Sequence, residues 1–261
     1  LGHGCPMCVK VYASLDKGLM GFWKDILPGF IFNPVNNWKR DRFGTPKKTY
    51  SGEGEDLILQ KLFNGKTNGF FVDIGCYHPI VGSNTYVFHK KYNWTGINVD
   101  ANPDSIVKFY KLRPRDINLN LGIGLTESSS LRFHRFSEGA LNTFSEIIKE
   151  ERIVRDKQNY LGSIDVAVTT LESLLDKHAV GQRIDFIDVD VEGLDLEVLQ
   201  SNNWQKYRPR IVMVEDQNKV SDAFTSLPTY RFLREQDYVL VAKTYSTLFF
   251  AEKEFADALY Y

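Results

Sequence analysis

From residue 50 onward the chain alternates short apolar runs with stretches whose apolar residues recur at helical spacing, and this alternation is the strongest constraint on its fold. Runs at 70–74, 96–99, 116–123, 131–136, 184–189 and 211–214 predict strands. Helices are predicted over 52–63, 103–112, 171–178, 194–199 and 223–235, the second carrying Ile106, Val107, Phe109, Tyr110 and Leu112 on one stripe. Two last runs, 238–243 and 247–251, predict a terminal hairpin. Strands that alternate with helices imply an α/β fold, a mostly parallel sheet with helices on both faces, here closed at one edge by an antiparallel pair.

Composition excludes several function classes. Thirty-two basic against thirty-three acidic residues, with no local cluster of lysine and arginine, give no field that would attract nucleic acid. No apolar run approaches the roughly 20 residues needed to span a bilayer, so stable membrane insertion is not expected. The start of the chain lacks the form of a signal peptide, and a cytoplasmic setting is the expectation. Cys5-Pro6-Met7-Cys8, with His3 close by, has the spacing of half a zinc site or of a redox pair. Neither a second ligand pair nor a preceding strand accompanies it, so Cys5 and Cys8 are expected to be dispensable for chemistry. Residues 1–48, broken by Pro28, Pro34 and Pro46, are expected to be an N-terminal extension to a main domain over 49–261.

In an open α/β sheet, ligands bind beyond the carboxyl ends of the strands. Those ends are Asp73-Ile74-Gly75-Cys76-Tyr77, Asn98-Val99-Asp100-Ala101-Asn102, Asn118-Leu119-Asn120, Asp188-Val189-Asp190-Val191-Glu192-Gly193 and Val214-Glu215-Asp216. Four of the five carry carboxylates, which disfavours a phosphate-rich ligand. A dinucleotide would also want G-x-G-x-x-G after the first strand, and Gly75 is followed by no glycine until Gly82. Yet Asp100, 27 residues after Asp73, stands where an acid that takes ribose hydroxyls would stand. A ligand with a nucleoside, a positive charge and no phosphate satisfies both facts, and S-adenosylmethionine is such a ligand.

The segments YSGEGEDLIL from Tyr50, FVDIGCYHPIVGSNTY from Phe71, GINVDANP from Gly96, RPRDINLN from Arg113, NTFS from Asn142, TLESLL from Thr170 and IDFIDVDVEGLDLEVL from Ile184 resemble, in this order, the FkbM-type methyltransferases. The resemblance spans about residues 50–252. It implies a class I, Rossmann-like fold with a seven-stranded sheet, S-adenosylmethionine as methyl donor, and O-methylation of a sugar, a glycan precursor or a polyketide-like small molecule. It also implies cofactor contacts at Asp73, Gly75, Tyr77, Ser83, Asn84, Thr85, Asp100, Ala101 and Asn102, and at Asp190 with Glu192; Asn120, at the third strand end, is a further cofactor-binding candidate. The chain departs from the family pattern at Asp188, where a lysine is frequent, and near Gln217, where many members have a histidine.

Asp188, Asp190 and Glu192 alternate along an expected extended segment, which would point them to one face. Like charges so close need a cation or a shared proton. The cation could be the cofactor's amino or sulfonium end, or a divalent metal held by Asp188, Asp190, Glu192 and Glu215. For chemistry, Asp190 is expected to hold the cofactor's positive end or the metal. Glu192, its carboxyl raised by crowding, is the expected base, and His78 is a further catalytic candidate. Oligomerisation stays open, and so does a second function class: an inactive methyltransferase-fold module that binds a glycan or a partner enzyme.

Overall fold

The structure, a computed structural model, describes residues 47–215 and 223–259. The expectations for Cys5, Cys8 and the N-terminal extension, and the loop around Gln217, lie outside the described residues. Its elements begin with α1 (Glu55–Leu62), β1 (Phe70–Ile74), α2 (Tyr86–Lys91), β2 (Thr95–Asp100), α3 (Pro103–Leu112) and β3 (Ile117–Asn120). An excursion follows, made of β4 (Gly122–Ile123), β5 (Ser128–Phe136), a 3-10 turn (Gly139–Leu141), α4 (Glu146–Val154) and β6 (Tyr160–Thr169). The chain then continues through α5 (Leu171–His178), β7 (Phe186–Val189), α6 (Asp195–Gln200), β8 (Ile211–Glu215), a second 3-10 turn (Ala223–Ser226), α7 (Pro228–Glu235), β9 (Tyr238–Lys243), β10 (Thr247–Glu252) and α8 (Lys253–Ala258).

Seven strands form one sheet in the order β3-β2-β1-β7-β8-β10-β9. The first five run parallel, while β10 is antiparallel to both β8 and β9. This is the α/β, class I methyltransferase-like architecture that the sequence predicts, hairpin included. Winding runs outward from β1 through β2 to β3 and then returns to β7 on the other side, so the switch point lies between β1 and β7.

Alternation along the strands builds a core on each face. Val72, Ile74, Ile187, Val189, Val212 and Val214 point to one side and meet Leu171, Leu174 and Leu175 of α5, Val198 and Leu199 of α6 and Leu233 of α7. Phe71, Phe186, Ile211, Met213 and Phe249 point to the other and meet Leu59 of α1 and Val87 and Phe88 of α2. Phe71 and Phe186 stack with ring centroids 5.8 Å apart. Each such fully buried side chain stabilises the fold by about 1.5–3 kcal/mol. Local chemistry sets the helix starts: the Asn102 side chain accepts from the Asp104 amide with Pro103 at the first helical position, and Thr170 accepts from the Ser173 amide.

Two sequence expectations need correction. The run 116–123 is not one strand: β3 stays in the main sheet, while β4 leaves it for a three-stranded sheet of order β4-β6-β5. The expected strand 131–136 is β5, and it too belongs to this second sheet. Its partner β6 and the helix α4 have no counterpart in the sequence expectation. The inward residues of β6, Val166 and Val168, alternate with exposed ones, so only half of the strand is apolar. Among the described residues no helix is long and apolar enough to cross a membrane.

Candidate active site

A crevice opens at the switch point, beyond the carboxyl ends of β1, β2 and β7. Its floor comes from Asp73, Gly75 and Asp188, one flank from Asp100 and Ala101, and the other from Asp190 and Glu192. The second sheet forms a roof, with Phe133, Gly139, Ala140, Asn142 and Phe144. Among the described residues, five carboxylates stand in this wall, and no lysine, arginine or histidine does.

Gly75 is required by two facts of backbone geometry. Its φ is +87°, a region closed to most side chains, and a Cβ there would stand 1.8 Å from the carbonyl oxygen of Asp190. The ends of β1 and β7 thus touch through a glycine, and the Asp190 amide donates to the Ile74 carbonyl at 3.0 Å. This close approach also brings the β1 and β7 carboxylates together.

Asp73 and Asp188 are register partners on neighbouring parallel strands, so their side chains lie side by side on one face. Both are buried, at 5% exposure each. Asp73 accepts from the Thr85 hydroxyl at 2.9 Å, and Asp188 accepts from the Asn84 amide at 2.7 Å. Loss of water pushes the Asp73 carboxyl up to about 6, against the opposing pull of the Arg113 cation. Loss of water and then the neighbouring Asp73 push Asp188 well above the carboxylate range.

Asp100 organises the β2 end. Its two oxygens accept from the amides of Tyr77 at 2.8 Å and Asn102 at 2.7 Å, and removal from water raises its carboxyl to about 6 against those bonds. A carboxylate has about four lone-pair sites, and the Ser105 side chain takes a further one, so capacity remains for a ligand hydroxyl. Tyr77, at φ 45°, turns the chain over Asp100, and its hydroxyl donates to Glu138 at 2.9 Å.

Not every expected cofactor residue faces the crevice. Asp73, Gly75, Tyr77, Ser83, Asn84, Asp100, Ala101 and Asp190 line it. Thr85, Asn102 and Asn120 stand behind the wall: Thr85 is fully buried beneath Asp73, Asn102 caps α3, and Asn120 donates to the Asp100 and Ala101 carbonyls at 2.9 Å each. His78 also stays outside the wall. Its Nδ1 accepts from the amides of Ile80 and Val81 at 3.2 and 3.1 Å, so the imidazole ties a loop together. Burial, with Lys108 nearby, lowers its pKa and so favours the neutral imidazole.

The alternation expected through Asp188, Asp190 and Glu192 does not continue. Strand β7 ends at Val189, and Glu192 sits at φ 56°, which turns it off the strand direction. Asp188 therefore points into the floor, while Asp190 is exposed to the crevice. Glu192 is ion-paired with Arg152 of α4. Protein surrounds Asp190 deeply even though water reaches it; this desolvation, followed by Glu215, Glu192, Asp195 and Asp188, pushes its carboxyl well above the usual range. The metal alternative is not built either: among the described residues no three His, Cys, Asp or Glu side chains gather so as to hold an ion.

Sequence reasoning missed the roof and the polar layer beneath the floor. Arg113, with no exposure, donates to Thr85 at 2.8 Å and pairs with Asp116 at 2.7 Å. The RPRD stretch and the NTFS stretch, noted only as points of resemblance, were the available signals. A model of the methyltransferase FkbM domain matches residues 73–240, well over half of the chain. No curated protein sequence matches it. The seven-stranded sheet with its antiparallel end and the acid-lined crevice at its switch point agree with that match, and the chain belongs to the FkbM family of S-adenosylmethionine-dependent methyltransferases.

Proposed function

We propose that the protein transfers a methyl group from S-adenosylmethionine to a hydroxyl oxygen of a sugar or glycan precursor. The observation that carries the cofactor is the crevice wall, which among the described residues has five carboxylates and no basic side chain. Such a wall attracts a sulfonium and an ammonium and repels a pyrophosphate. Asp100 takes the ribose hydroxyls, and the apolar surface of Ala101, Leu121 and Ile123 beside it accommodates the base. Ser83 and Asn84 face the methionine end. The hydroxyl target and the sugar class rest on the family resemblance, which extends equally to polyketide-like acceptors.

The donor, when bound, supplies an electrophilic methyl carbon on sulfur and leaves as a thioether. The protein's task is to hold the acceptor oxygen in line with it and to take the proton the oxygen loses. Asp190 is the group we assign to that proton: it is open to the crevice, and its crowded carboxyl is a stronger base than an ordinary carboxylate. Glu192, engaged by Arg152, is assigned to the acceptor side as a fixed anion.

Titration calorimetry with S-adenosylhomocysteine and with NAD separates the cofactor classes; binding of the first and not the second is expected. Asp100→Ala should weaken binding by about 1.5–3 kcal/mol, the worth of hydrogen bonds to a charged group. Release of S-adenosylhomocysteine against a panel of nucleotide-linked and lipid-linked sugars then tests the base. Asp190→Asn should lower turnover by about 10² to 10⁴-fold, whereas wild-type turnover in that variant would remove Asp190 from the chemistry. Tight cofactor binding with no methyl transfer to any acceptor would favour the inactive-module alternative.

A further inference from the structure

The floor of the crevice holds two carboxylates where only one charge can stand. Asp73 and Asp188 are side by side on strands about 4.8 Å apart, both nearly closed to water. Two such groups titrate as a pair, and over a wide range of pH they share one proton. We propose that Arg113, acting through the Thr85 hydroxyl, decides which of them is charged. Asp73 is held as the anion that meets the cationic end of the cofactor, and Asp188 is the protonated partner. The proposal rests on the cofactor assignment above.

The asymmetry is visible in the hydrogen bonds. A guanidinium only donates, so the Thr85 oxygen must accept from Arg113 at 2.8 Å and can give its own hydrogen to Asp73 at 2.9 Å. The other contact of that hydroxyl is Ser83, at 3.2 Å. The chain Arg113–Thr85–Asp73 therefore delivers positive polarisation to the β1 carboxylate. Asp188 has only the neutral Asn84 amide. Every charged group around the pair adds to the same bias or leaves it standing. Asp100 from β2 and Asp116 behind Arg113 raise Asp73, but the Arg113 cation opposes them. Around Asp188 the largest charged influences are acids, Asp73 itself, then Glu55 from α1 and Asp195 from α6. Burial raises both carboxyls, Asp73 to about 6 and Asp188 well above the ordinary carboxylate range, as expected of a pair that retains a proton.

Arg113 is itself fixed from below. It pairs with Asp116, and its guanidinium lies over the rings of Phe71 at 5.1 Å and Phe109 at 5.6 Å, out of reach of the crevice. It acts as a positioning residue through Thr85 and does not touch ligand.

The test is the pH dependence of S-adenosylhomocysteine binding to the full chain, from pH 5 to 9, together with the infrared absorption of buried protonated carboxyls in the ligand-free protein. Wild-type affinity should fall on acidification with a midpoint near 6. Thr85→Val keeps the shape and removes the relay, so its midpoint should move up by about one pH unit, as expected for a lost hydrogen bond to a charged group. Affinity at pH 8 should stay close to wild type. Thr85→Ser, which keeps the hydroxyl, should return the midpoint. Asp188→Asn mimics the protonated acid: its midpoint should move down, and one carboxyl band present at pH 7 should vanish. A Thr85→Val profile that superimposes on wild type overturns the proposal, as does an Asp188→Asn variant that loses binding as severely as Asp73→Asn. Wild-type protein that binds no S-adenosylhomocysteine at any pH overturns the cofactor assignment instead, while the carboxyl band still reports which acid holds the proton.

Discussion

Two arginines flank the crevice, and they are built differently. Arg113, beneath the floor, is fully buried and pairs with Asp116 three residues away in sequence. Arg152, in the roof, is 9% exposed, pairs with Glu192 forty residues away, and also donates to the Leu141 carbonyl. The first connects a charge to the polar layer under β1 and β2. The second connects two pieces of chain, the 3-10 turn of the roof and the turn after β7. A cation closed off among aromatic rings acts on the charge of its neighbours, because nothing screens it. One placed between layers fixes where the layers sit.

The sharpest break of this comparison is Arg113→Met. It leaves Asp116 buried beside Asp73 with no cation, and loss of one partner of a buried pair costs about 3–5 kcal/mol. Urea denaturation should show that loss, and any folded remainder should bind S-adenosylhomocysteine poorly at neutral pH. Unchanged stability would mean that His89 and Asn98, which also contact Asp116 at 3.3 Å each, satisfy it alone.

Arg152→Met should be milder, about 1–2 kcal/mol, because the Glu192 side chain is 24% exposed and water can take over part of the role of the arginine. Cofactor affinity should stay within about threefold, while the acceptor KM rises roughly tenfold as Glu192 and the roof lose their tie. If cofactor affinity collapsed instead, the roof would belong to the nucleoside site and the two arginines would share a role.

The smallest effect is on stability against pH. The folded values of Asp73, about 6, and Asp195, about 7, lie above the ordinary carboxyl value, as do those of Asp188 and Asp190. These four carboxyls therefore hold more protons in the folded chain than in the unfolded one above roughly pH 4, and the stability they contribute at the acid side is lost as pH rises through their folded values. The ligand-free protein should melt a few degrees lower at pH 8 than at pH 5.5. Arg152→Met should leave that slope unchanged, whereas Asp188→Asn should flatten it.

Legibility in the sequence followed distance along the chain. The FFVDIG run announces a buried strand, its acid and its glycine, because strand burial, termination and positive φ are local properties. Asp100 and Asn102 were legible as a strand end passing into a capped helix. His78 looked like a candidate by its nearness to Gly75, but its imidazole is consumed by two amides of its own loop, a contact that sequence proximity does not reveal. Glu192 looked like the next outward acid of a strand, and a single positive φ rotated it toward a helix that the sequence had not disclosed. Half-apolar β6 and polar α4 gave too little periodic signal to be seen.

What was legible along the chain was the alternation of main-sheet strands with helices, the terminal hairpin, and the acids at the strand ends, since periodicity and turn chemistry act within a few residues. Only the tertiary structure decided that Asp73 would lie against Asp188, that Gly75 would press on the Asp190 carbonyl, and that Arg113 and Arg152 would flank the same crevice. Those relations come from strand register and from the folding back of an excursion between β3 and β7, and register is fixed by packing between segments far apart in the chain.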